Sequence, residues 1–171
     1  MENQNKLFEC QQMFRHACAF SECADLALDK FRHDTADIEW YSTPAVVNSA
    51  FACEVYLKAL LLFHNIRFQD YLKGKKQHEI KELFELLPEE IRDWIKPSVM
   101  NECGRWSDQW GRELLENISY AFIEWRYSYE HDWNKSSIMK IDVGFLTTFR
   151  NALREASSQL FFHMTWEDYK Y

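Results

Sequence analysis

Apolar or small residues recur at Leu7, Cys10, Phe14, Ala17, Ser21, Ala24, Leu28 and Phe31, in steps that alternate between three and four. That period puts all of them on one side of a helix, so this segment is predicted as one long helix with a seam for a neighbour. The middle of the seam is small (Ala17, Ser21, Ala24), which lets a second backbone come close. Asp34 to Thr43 is polar and reads as a connector. Pro44 then suits a first helical turn, where a missing N–H costs nothing. The stretch that follows, PAVVNSAFACEVYLKALLLFHN, is apolar on most of its circumference, so its helix is expected at the centre of the fold. Glu54 and Lys58 inside it form an i,i+4 pair in the favourable order. Two charges there favour a buried helix over a membrane span.

Ile66 to Gln77 reads as a loop, with Gly74 among Lys73, Lys75 and Lys76. A shorter helix is predicted from about His78 to Leu87, stopped by Pro88, and a further turn or two in EEIRDWIKPSV, closed by Pro97. The segment CGRWSDQWG, Cys103 to Gly111, reads as an irregular linker. Leu114, Ile118, Phe122 and Trp125 share a face of the next helix. Asp142 is a candidate N-cap for the last one. That helix has the seam Leu146, Phe149, Leu153, Ala156, Leu160 and His163. The expected architecture is all-α: an antiparallel bundle of about five main helices and two short ones, forming a single domain over residues 1–171.

Composition strengthens this. Only 4 Gly and 3 Pro in 171 residues leave too few turn formers for a sheet protein. Seven Trp, eight Tyr and thirteen Phe give ample core and exclude disorder. The net charge of −7 argues against a broad nucleic-acid coating, so any RNA contact should be local, and no DNA partner is expected. Five scattered cysteines (Cys10, Cys18, Cys23, Cys53, Cys103) without a CxxC pair point to reduced thiols in a cytosolic protein. MENQNKLFEC lacks the basic and apolar regions of a secretion signal, so a cytoplasmic location without a membrane partner is expected.

Candidate chemistry is sparse. There is no Gly-rich phosphate loop, G-x-S-x-G elbow or H-E-x-x-H zinc motif. His163 and Glu167, four apart on the last helix, lack a third ligand. Cys18 and Cys23 near His16 are equally scattered, so no metal and no cofactor are expected. Glu54 is more informative, because a carboxylate in a near-apolar helix needs a partner. The segment FIEWRYSYEHDW holds Arg126 and His131 with four residues between them. On a continuous helix their side chains would point about 140° apart, so sharing a site requires a break in the helix or a second chain. Alternatively the segment is a polar helix end, with His131 and Lys135 answering the negative terminus of the dipole.

AFACEVYLKALLLFHN, KKQHEIKELFELLP and FIEWRYSYEH, in that order, resemble the successive signatures of the HEPN family of small all-helical domains. The similarity spans residues 7 to 163. Glu54, Leu57, Lys58, Ala59 and Leu60 match the family's acidic residue and L-K-A-L-type run. His78, Leu83, Leu86 and Leu87 match the histidine and leucine-rich run of a following helix. Arg126 and His131 match the Arg–x(4–6)–His pair of the family's ribonucleases at its shortest spacing. Two positions depart from the pattern. Tyr127 stands where active members usually have a polar residue. Trp133 stands where toxins controlled by a nucleotidyltransferase carry the modified Tyr.

The resemblance implies a metal-independent endoribonuclease of toxin or defence type, cleaving RNA by 2′-hydroxyl attack. It makes His131 the general acid/base, Arg126 the phosphate clamp and Glu54 a supporting charge. Lys73, Lys75 and Lys76, the only clustered cations, either lead RNA to the site or form a solvated loop. One Arg and one His per chain make half a site, so a homodimer is expected, and a cognate antitoxin or nucleotidyltransferase is a further possible partner. The alternative is a non-catalytic HEPN-like module that binds a partner protein or nucleotide, with Arg126 paired to Glu54.

Overall fold

The computed structural model describes residues 2–33, 38–103, 108–126 and 141–170. The fold is an all-α bundle, with no strand among the described residues. Helices α1 (Glu2–His33) and α2 (Ile38–Phe63) pack along their lengths. The α1 seam is buried as its spacing predicts: Cys10, Phe14, Ala17, Ser21 and Ala24 are fully enclosed. Small residues let polar groups meet across this interface. The Tyr56 hydroxyl donates to Cys18 Sγ (3.3 Å) and lies 3.2 Å from the Ser21 hydroxyl.

Helix α2 begins at Ile38, so residues 38–43 are helical rather than connector and Pro44 lies inside the helix. Pro44 forfeits one backbone bond, but Ala45 and Val46 beside it are buried, and their packing holds the helix through the break. A stretch of α2, Tyr41–Phe63, is long and apolar enough to cross a membrane, yet most of it is buried in the bundle. It also carries Glu54 and Lys58.

The segment expected as a loop contains α3 (Phe68–Tyr71) and a 3₁₀ turn, Gly74–His78. Gly74 has φ +58°, a left-handed conformation that glycine adopts without strain. Helix α4 (Ile80–Glu85) therefore starts after His78, not at it. Helix α5 (Glu89–Cys103) runs on through Pro97, anchored on either side by buried Ile95 and Val99. Helix α6 (Asp108–Ser119) absorbs the second half of the expected linker, including buried Gly111. A turn at Tyr120 separates α6 from α7 (Ala121–Arg126).

Helix α8 (Val143–Phe162) starts as predicted, with Asp142 Oδ1 accepting from the Phe145 amide at 2.8 Å. It packs on α2, α5 and α1. His163 caps its end at φ +58°, and Glu167 belongs to the separate helix α9 (Trp166–Tyr169). The His163–Glu167 pair thus does not lie on one helix. The core centres on Phe14, whose ring lies 5.1 to 6.3 Å from those of Tyr56, Phe161, Phe162, Trp166 and Tyr169.

Candidate functional site

Glu54 projects from the middle of α2 and is 3% exposed. Its Oε1 accepts from Lys58 Nζ at 2.7 Å, the pair predicted from the i,i+4 spacing, and meets His78 Nδ1 at 2.8 Å. Its Oε2 is buried without a hydrogen-bond partner among the described residues. Such an acceptor is costly to leave unmet, so this oxygen calls for a donor from outside the described residues. Lys58 is oriented from its other side as well, with its ammonium 4.8 Å from the centre of the Phe68 ring.

His78 reaches Glu54 because its turn is pinned. Leu72 is buried, and the Gln77 side chain donates to the Leu72 carbonyl at 2.9 Å. The imidazole remains 47% exposed while the carboxylate it meets is enclosed. Lys73, Lys75 and Lys76 stand exposed on the same turn. Lys76 pairs with Glu82 at 3.2 Å, a bond that raises its pKa. Residues 67–82 hold five Lys and Arg against three Asp and Glu, a local reversal of the net charge of −7.

The other elements converge on this turn. The Lys81 amide donates to Ser119 Oγ at 2.9 Å, fastening the start of α4 to the end of α6. Tyr120, at the junction of α6 and α7, lies against Glu79, whose negative charge raises the phenol's pKa. From there α7 runs over α2, and Phe122 stacks on Phe51 at 4.8 Å, three residues before Glu54. Arg126 closes α7, about 9 Å of helix beyond Tyr120. The Arg126 side chain and the whole of Tyr127, His131 and Trp133 lie outside the described residues.

The structure thus unites Glu54 with the lysine turn and brings the helix of Arg126 to the same region. The contact between His78 and Glu54 was not foreseen, since 24 residues separate them. A carboxylate in contact with an imidazole and an ammonium group, beside a turn that carries further lysines, suits proton transfer next to an anionic ligand. No group of three His, Cys, Asp or Glu able to hold a metal ion occurs among the described residues. Burial pushes the Cys10 and Cys18 thiols up to about 11 and Cys53 to about 12, so these are protonated core groups. A separate cleft of about 250 Å³, lined in part by Ser98, Asn151, Arg154 and Trp166, contains none of the sequence-predicted site residues.

Comparison with protein-family models, with curated proteins and with solved structures finds no match.

Proposed function

We propose that this protein is a HEPN-like, metal-independent endoribonuclease of toxin or defence type, acting in the cytoplasm as a homodimer. The observation that carries the proposal is the enclosed Glu54 carboxylate, joined to Lys58 and His78 beneath a lysine-bearing turn. The approach of the Arg126 helix to the same region supports it. In this mechanism Arg126 holds the phosphate, its planar fork matching the phosphate oxygens. His131 transfers a proton, a task suited to imidazole near neutral pH. Glu54 sets the local charge, and Lys73, Lys75 and Lys76 hold the flanking strand. Two chains together complete the site, and a cognate antitoxin restrains it.

A second reading is a non-catalytic module that binds a protein or a nucleotide. It is favoured by the double use of Glu54 Oε1, an arrangement that also serves to lock α2 to the turn, and by Tyr127 and Trp133 in the sequence. Incubation of mixed RNA with wild-type protein and His131→Ala in EDTA separates the two. The enzyme reading expects wild-type cleavage to ends bearing cyclic phosphate, with a loss of about 10² to 10⁴ in His131→Ala. No cleavage by wild type, or equal cleavage by both, leaves the module.

A further inference from the structure

We infer that His78 is itself a proton-transfer residue. Glu54 and His78 form a carboxylate–histidine dyad whose outward Nε2 takes the 2′-hydroxyl proton of an RNA strand lying across the lysine turn. The inference rests on the RNA-cleaving reading and adds to it a residue that neither the spacing of Arg126 and His131 nor the family resemblance assigns to catalysis.

The hydrogen bond fixes the tautomer. An ionised carboxylate only accepts, so at 2.8 Å from Glu54 Oε1 the Nδ1 of His78 carries the proton, and the neutral ring has Nε2 as its acceptor. The orienting group is enclosed and the acting group reaches solvent: the side chains are 4% and 47% exposed. The mount is rigid, with Gly74 at φ +58°, Leu72 buried, Gln77 bonded to the Leu72 carbonyl and the Glu79 amide bonded to the Lys76 carbonyl at 3.2 Å. Glu54, which meets the imidazole, is also held by Lys58 of α2, and the turn and its neighbours carry Lys76, Glu79, Glu82 and Tyr120, which interact with one another. Lys75 on the same turn offers a further cation to the phosphodiester.

In the step, His78 Nε2 removes the 2′-hydroxyl proton as the 2′ oxygen bonds to the adjacent phosphorus. The P–O5′ bond breaks, and the 5′ oxygen takes a proton from water. The products are a 2′,3′-cyclic phosphate and a 5′-hydroxyl. His78 is left as an imidazolium facing Glu54 and returns its proton to water.

The test compares wild type, His78→Ala, His78→Gln and Glu54→Gln on mixed RNA in EDTA, with folding followed by circular dichroism. The dyad predicts a loss of about 10² to 10⁴ in folded His78→Ala, partly restored by added imidazole, with no gain for wild type. Glu54→Gln should fall by at least about tenfold, because the orienting charge is gone. His78→Gln keeps a donor toward Glu54 and serves if the alanine variant fails to fold; it should be as inactive. Wild-type activity with equal activity in a folded His78 variant overturns the dyad alone. A loss in His78→Ala that imidazole does not restore marks His78 as structural and also overturns it. Wild-type protein inactive on RNA overturns the RNA-cleaving reading, and the dyad with it.

Discussion

Arg150 on α8 is fully buried. Its guanidinium donates to the Ser21 carbonyl of α1 at 3.3 Å, to Ser49 Oγ of α2 at 3.0 Å and to the Asp25 carboxylate of α1. One side chain thus ties three helices. Nothing local in the sequence announces this, because those partners lie more than a hundred residues away. Arg150→Ala removes a buried cation and its packing, while half-exposed Asp25 can rehydrate, so the loss should be about 3 kcal/mol in urea unfolding. A loss under about 1 kcal/mol would refute the tie.

His64, just past the end of α2, offers a second test at this scale. Its Nε2 is buried without a partner among the described residues, and burial lowers its pKa from the ordinary 6.5. The unfolded chain therefore binds the proton more readily than the fold does. Stability from this group is present above pH 6.5 and is lost as the pH falls below it. Urea midpoints at pH 7 and pH 5.5 should show a larger acid loss for wild type than for His64→Leu, and equal losses would contradict the assignment. Glu54, by contrast, was legible in the sequence, since a lone acid in an apolar helix must be partnered. Its link to His78 was not legible, because contact across 24 residues leaves no periodic trace.

At the scale of elements, the seams of α1 and α8 were readable because alternating steps of three and four encode one helical face. Leu146, Phe149 and Leu153 are all enclosed. The starts and stops were misread where tertiary burial outweighs local chemistry. Pro44, Pro97 and Gly111 all lie inside helices that continue past them. A proline in a helix interior costs roughly 3 kcal/mol, which a buried flank can offset. Pro97 is itself exposed while Ile95 and Val99 are buried, so Pro97→Ala should keep α5 and restore a backbone bond. The expected outcome is a thermal midpoint several degrees above wild type. A lower midpoint would mean that Pro97 sets a bend the bundle needs.

Over the whole molecule, residues 67–82 form a locally cationic stretch in an acidic chain, and hydrogen bonds tie this stretch to α2 and to the end of α6. The fold class was legible throughout, from the shortage of Gly and Pro and from the two long seams. The candidate site was legible only in part: Glu54 and the lysines stood out in the sequence, the fold set His78 against Glu54, and the Arg126 side chain and His131 lie outside the described residues. The proposed two-chain arrangement is motivated by chain geometry: on a continuous helix Arg126 and His131 would diverge by about 140°, so sharing a site takes a second chain or a break in the helix. The most direct measurement mixes Arg126→Ala with His131→Ala, each inactive alone, and follows RNA cleavage in EDTA after subunit exchange. If each site takes Arg126 from one chain and His131 from the other, random mixed dimers hold one intact site in two, and activity should recover to about a quarter of wild type. A mixture that exchanges subunits yet stays as inactive as either variant alone would contradict the composite site.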